Sequence, residues 1–280
     1  MKPKPTEAAT GQGPSEGPWP FVTHRRIRIG GRRLVWRARA ARKGLQREIA
    51  ALETAPVPFW RTAGYNWATG LLFAIGSVLF MLGAGLSLFP RPPLPMGAIN
   101  LIFFAGSIPF TTAGYLQLFQ AANAPEPAPA PVPAPAVALI GWRPRSPGWI
   151  SAFAQFLGTI QFNFNTFDAI VAPDRWYVED IAVWTPGMVG SVLFLVSGYL
   201  AFVETCGGWW RWRPRDFDWR IAAWNLAGCV FFMTASTLAF VPRGAEAWWL
   251  PALANLHLLL GAGGFLIGAL LSMRESRAAG

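Results

Sequence analysis

The chain has 280 residues, of which 53% are hydrophobic and only 14% charged. A soluble globule carries about 25% charged residues, so the composition speaks against a soluble protein and for one that lives in a bilayer. The net charge of +10 would also suit a nucleic-acid binder, and the position of that charge along the chain has to decide between the two.

Residues 1–20 are rich in proline, glycine and charge, and a disordered tail is expected there. A basic segment follows over residues 21–65. Of the 24 Lys and Arg, 13 precede the first apolar run, most of them within THRRIRIGGRRLVWRARAARKGLQRE. Such a segment either lies on anionic lipid head groups or is the cytoplasmic flank that fixes the orientation of a membrane protein. The flank is the plainer reading, and no nucleic-acid partner is expected. No secretory signal peptide is expected either, because the first apolar run starts near residue 66.

Six runs have the length of about 20 residues that crosses a bilayer. They cover 66–89, 97–121, 149–171, 183–204, 221–241 and 247–273. The third, WISAFAQFLGTIQFNFNTFDAIV, is the least hydrophobic. With both termini in the cytoplasm, six crossings put 21 Lys/Arg inside and 3 outside, and dropping any one span spoils that partition. Trp67, Trp149, Trp176, Trp209, Trp210, Trp219, Trp248 and Trp249 fall near span ends, as an aromatic belt does. Between spans two and three, within 122–147, APEPAPAPVPAPA reads as an extended polyproline-type linker. Residues 205–220 form an Arg/Trp-rich cytoplasmic loop, and 274–280 a cytoplasmic tail. Cys206 is expected in that loop, and Asp216 and Asp218 as solvated loop residues.

The spans repeat. WRPRSPGWISAFAQFLGTIQF from Trp142 aligns without a gap on WRPRDFDWRIAAWNLAGCVFF from Trp212. Spans one, three and five share W-x8-G-[STC]-[IV]-x-F, with Gly76 and Phe80, Gly158 and Phe162, Gly228 and Phe232. Spans two and four carry Gly106 and Phe110, Gly190 and Phe194, and span six keeps Gly261 and Phe265. The expected architecture is therefore an all-α membrane protein of three tandem helical hairpins over 66–121, 148–204 and 221–273. Gly and Phe four residues apart share a helix face. The Gly is a notch for a neighbouring backbone and the Phe a knob beside it. Close packing at small residues is what holds helices together in lipid. Gly264 and Gly268 add a second small pair in span six.

IRIGGRRLVWRARAARKGL, YNWATGLLFAIGSVLF and NLIFFAGSIPF resemble the YrhK-like domain of bacterial proteins, over roughly residues 26–121. The remainder, with MVGSVLFLVSGYLA and WRIAAWNLAGCVFF, is similar to larger uncharacterised bacterial integral membrane proteins that contain this domain. The resemblance implies a bacterial inner-membrane location and no particular activity. The stretch between the basic segment and span one is longer here than in small YrhK proteins.

Polar side chains inside spans are costly and are candidate functional residues. Asn100, Asn163, Asn165, Thr166, Asp168, Ser236, Asn255 and His257, with Thr234 and Thr237, fall in the outer half. If the hairpins close around one axis, these residues line an outward-facing vestibule. The bland alternative is that they hydrogen-bond between helices or meet solvent. Asp168 and His257 are the titratable members and form a candidate pair. No nucleotide loop, catalytic motif, metal cluster or cofactor site is present in the sequence, so no enzyme is expected. The expected function is that of a structural or accessory membrane protein, and a transporter, channel or small-ligand receptor with an outward-facing polar vestibule is the alternative. Association with a second copy or another membrane protein stays open.

Overall fold

The structure is a computed structural model that describes residues 11–29, 32–46, 56–125, 136–171, 175–240 and 247–279. The first ten residues and most of the Pro/Ala linker lie outside the described residues.

The described residues begin with a three-stranded antiparallel sheet, in the order β1 (Gly11–Glu16), β2 (His24–Ile29) and β3 (Arg32–Arg37). The expected disordered tail therefore ends earlier than residue 20. The β2 and β3 strands pair in register from His24 opposite Arg37 to Ile29 opposite Arg32. HRRIRI and RRLVWR mix arginines with β-favouring Ile, Val and Trp, and charge masked that strand signal in the sequence. A one-turn helix α1 (Ala38–Arg42) follows, and the Ala38 N–H donates to the Thr23 carbonyl at 2.9 Å.

The rest is a helical bundle: α2 (Ala63–Ser87), α3 (Met96–Ala122), α4 (Pro147–Val171), α5 (Thr185–Cys206), α6 (Phe217–Leu238) and α7 (Leu250–Ala279). A π-helical stretch, Glu179–Trp184, leads into α5. Among the described residues, five helices are long and apolar enough to cross a membrane, as expected of a multi-pass membrane protein. The one left out is α4, whose interior carries Gln155, Gln161, Asn163, Asn165 and Asp168. Two of these are satisfied by neighbouring elements, Asn163 by Thr111 of α3 and Asn165 by the Val183 carbonyl of the π-helical stretch, which helps α4 pack in the bundle.

Each helix packs on its neighbours in sequence, and α7 returns to pack on α2, so the six close into a ring. Within each hairpin the motif residues interlock reciprocally. A Cβ on Gly158 would stand 2.6 Å from the Phe194 ring, and one on Gly190 would stand 3.0 Å from the Phe162 ring. Gly228 with Phe265, Gly261 with Phe232, Gly76 with Phe110 and Gly106 with Phe80 repeat the arrangement. Gly264 extends it, its added Cβ falling 3.0 Å from the Gly228 nitrogen.

Local detail repeats as well. Trp142 and Trp149 meet edge to face at 5.4 Å, and their counterparts seventy residues on, Trp212 and Trp219, do so at 4.8 Å. Each inner Trp donates its indole N–H to a loop carbonyl, Trp149 to Ile140 and Trp219 to Arg211. Ser146 and Asp216, again seventy apart, cap the first turns of α4 and α6. Asp216 is thus a helix cap, and Cys206 is the buried last residue of α5 instead of a loop residue.

Candidate functional site

The six motif phenylalanines meet at the centre of the ring. Phe80 lies 5.7 Å from Phe110 and 5.9 Å from Phe232, and Phe110 lies 5.9 Å from Phe265. Phe162 reaches Phe194 at 5.0 Å and Phe232 at 5.6 Å, while Phe265 reaches Phe194 at 5.8 Å and Phe232 at 5.1 Å. Most of these contacts are edge to face or tilted, the geometry that aromatic quadrupoles favour. The void among them is about 10 Å³. One water needs about 10–15 Å³ and two or more polar partners. Ser107 and Thr159 are the polar residues at this void, and both give their hydroxyls to backbone carbonyls of their own helices. The ring of phenylalanines is therefore a mainly apolar septum with room for at most one water.

On the side away from the N-terminal sheet, a cavity of about 370 Å³ ends on Phe80 and Phe162. Of the polar residues singled out in the sequence, Asn100, Asn165, Thr166, Ser236 and Asn255 line it, and among the described residues its lining carries no charge. A second lobe of about 240 Å³ shares Asn100, Asn165 and Ser236 and extends to Glu179 and Trp184. These side chains also tie helices together. Asn100 donates to the Ala169 carbonyl at 2.7 Å, and Asn165 to the Val183 carbonyl at 2.8 Å. Ser236 meets Ser191 at 2.6 Å. Thr166 donates to its own helix and, at 3.4 Å, to Ser107. Asn255 caps back on Pro251.

Three expected members stand apart from the cavity. Asn163 donates to Thr111 in the seam between α3 and α4, at 2.9 Å. His257 bonds the Leu253 carbonyl of its own helix and rests against Phe231. Asp168 is partly exposed. Among the described residues no ion pair joins Asp168 to His257. Helix position set the depth of these residues, but the turn of each helix decided what they face.

On the sheet side of the septum lies a smaller polar chamber of about 80 Å³, roofed by Phe194 and Phe265. The sequence reading missed it. Its mouth is closed by the basic arm. Arg42 makes a bidentate pair with Glu204, at 2.6 and 2.9 Å. Arg39 makes another with Glu275, at 2.6 and 3.0 Å, and also reaches Asp218 at 3.1 Å. Lys43 donates to Glu275 at 2.7 Å. These three cations are occupied by the protein's own carboxylates, and Asp218 is a pairing residue instead of a solvated one. A Cβ on Gly148 would collide with the Arg42 guanidinium and the Glu204 carboxylate, so a larger residue there would push that pair aside. Burial weakens Arg39 as an acid-base group in one direction and Glu275 with Asp218 in the other; the carboxylates win and hold it above the usual arginine range. Burial pulls Lys43 below its ordinary value, with Glu275 offsetting only part of the effect.

A signal for this end was present. Glu204 and Glu275 each lie fourteen residues after a motif glycine, Gly190 and Gly261, and Gln120 lies fourteen after Gly106. Gln120 donates to the Trp60 carbonyl at 2.6 Å and to Asn66 at 2.9 Å, and Asn66 donates to the Lys43 carbonyl at 2.8 Å. The three equivalent positions thus all hold the arm or its attachment.

No protein-family model, curated protein or solved structure matches this chain.

Proposed function

We propose that this chain is a six-span protein of the bacterial inner membrane, related to the YrhK-like group, whose three hairpins form a conduit for a small uncharged solute, held closed by the phenylalanine septum. One observation carries the reading. The same aromatic ring is the floor of the larger cavity, through Phe80 and Phe162, and the roof of the smaller chamber, through Phe194 and Phe265. A hydrophobic constriction between two cavities gates by excluding water. Among the described residues the lining of the larger cavity is uncharged, with Glu179 only in the second lobe, and this favours a neutral solute over an ion.

The orientation rests on the arginines. With α4 counted as a span, the basic arm, the two WRPR segments and the end of α7 fall on one side, the cytoplasm, and the larger cavity faces outward. The bonds that Asn100, Asn163 and Asn165 make to neighbouring helices favour the second reading, a structural or accessory bundle with no path.

Proteoliposomes separate the two. Stopped-flow light scattering with a glycerol gradient should show at least tenfold faster solute entry for Phe162→Ala or Phe232→Ala than for the unaltered protein. Folded variants no more permeable than empty liposomes would refute the conduit and leave the structural reading.

A further inference from the structure

The chamber behind the septum has a feature that packing alone does not account for. Its walls carry three carboxamides from three helices: Gln117 of α3, Gln155 of α4 and Asn225 of α6. None of the three makes a hydrogen bond to the described residues through its side chain. Elsewhere in the bundle Asn66, Asn100, Gln120, Asn123, Asn163 and Asn165 donate to a protein partner, while Gln161 of α4 does not. All three are partly exposed, so their donors and acceptors are open to water or to a small guest, and a chamber that gathers them can offer one guest several hydrogen bonds at once.

Their placement follows from the repeat. Gln155 and Asn225 each lie three residues before a motif glycine, Gly158 and Gly228. They therefore project at one level, immediately behind the septum. The third equivalent position is Phe73, which packs against Phe110 at 5.4 Å. The ring is thus polar on two of its three hairpins and apolar on the other.

Charge narrows the class of guest. Around the mouth, the cations Arg39, Arg42 and Lys43 are matched by Glu204, Glu275 and Asp218. An ion entering the chamber would meet partners already taken. Carboxamides offer donors and acceptors together, with no net charge. A volume of about 80 Å³ holds several waters or one small solute.

We propose that this chamber binds a small uncharged molecule with both hydrogen-bond donors and acceptors, a primary amide or a short polyol, through Gln117, Gln155 and Asn225. This rests on the conduit reading and names the class of its solute.

The test uses the full-length protein in nanodiscs, with acetamide and glycerol as probes. Thermal unfolding is followed against probe concentration for the unaltered protein, Gln155→Leu and Asn225→Leu. Acetamide or glycerol should raise the midpoint saturably by about 3 °C, and the shift should fall below about 1 °C in either leucine variant. As a second readout, Ser272→Cys, at a lining position outside the three carboxamides, in a background lacking Cys206 and Cys229 should react with a small methanethiosulfonate reagent at least fivefold more slowly when the probe is present. Equal shifts in all three proteins would mean a bulk solvent effect. No shift and no protection would mean a water-filled chamber. Either result overturns the site. Binding without solute flux would keep the site and remove the conduit, whereas flux without binding would do the reverse.

Discussion

Replacing Glu204 by Leu removes one half of the Arg42 anchor and leaves the other half in place. The Glu204 side chain is 1% exposed and the Arg42 side chain 16%. Removing one partner of a buried pair costs about 3–5 kcal/mol. Arg42 retains some contact with solvent, which puts the cost near the lower end, about 3 kcal/mol. The Arg39–Glu275–Lys43 cluster is untouched, so the loss falls on local detachment of the arm rather than on the whole bundle. At about 1.4 kcal/mol per tenfold, the opening equilibrium of the arm should rise about a hundredfold. Amide hydrogen exchange reads this directly, because the Lys43, Gly44 and Leu45 N–H groups donate to the carbonyls of Arg39, Ala41 and Ala40. Their exchange should speed up about a hundredfold, while α6 amides stay unchanged. The double variant Arg42→Met/Glu204→Leu loses the stranded charge as well and should return to within about tenfold of the unaltered protein. A change under threefold in the single variant, or a double variant as fast as the single one, would refute the argument that this pair holds the arm.

Gly158→Ala places a methyl 2.6 Å from the Phe194 ring and 3.1 Å from the Gly190 carbonyl oxygen, and should cost about 1–3 kcal/mol in unfolding measurements. Gly263→Ala in α7 meets nothing within 4 Å, so helix propensity alone should make it neutral or stabilising by up to about 1 kcal/mol. In a background without Cys206 and Cys229, Asn165→Cys should react with an impermeant thiol reagent applied outside cells and Asn163→Cys should not; the reverse pattern would place the cavity wrongly. His24 is pulled below its ordinary value, first by burial and then by Arg37 and Arg213, with Arg211 adding and Glu16 opposing. Its neutral form is the one the fold prefers. The docking of the sheet should therefore be at full strength above pH 6.5, the ordinary histidine value, and weaken as pH falls below it. Exchange protection of the β2 amides, corrected for intrinsic rate, should drop across that range, and a His24→Asn variant should flatten the drop.

The hairpins were readable because each is written with the same few letters at the same offsets. A Gly that admits a partner's Phe leaves little freedom in what surrounds it, so identical spacing meant identical packing. The sheet was hidden because arginines outnumber the apolar residues in HRRIRI, and charge is read before alternation. The arm's anchors were hidden for another reason. Arg42 and Glu204 are 162 residues apart, and only closure of the ring brings them together. The vestibule residues were half legible. Depth in the membrane follows from position along a helix, which collected Asn100, Asn165, Thr166, Ser236 and Asn255 at one cavity. Rotation about the axis depends on the neighbours, which sent Asn163 into a seam and His257 onto its own helix.

The three seams between hairpins differ. Ser107 meets Thr166 in one and Ser191 meets Ser236 in the next. At the equivalent positions in the third stand Ala262 and Ala84, both fully buried. That third seam joins the last helix to the first, so the wheel is complete without regard to where the chain enters it. A permuted polypeptide that starts at the second hairpin, and reaches the first only at its end with the basic arm still attached, would rebuild the same wheel with the alanine seam made early and a hydroxyl seam closing last.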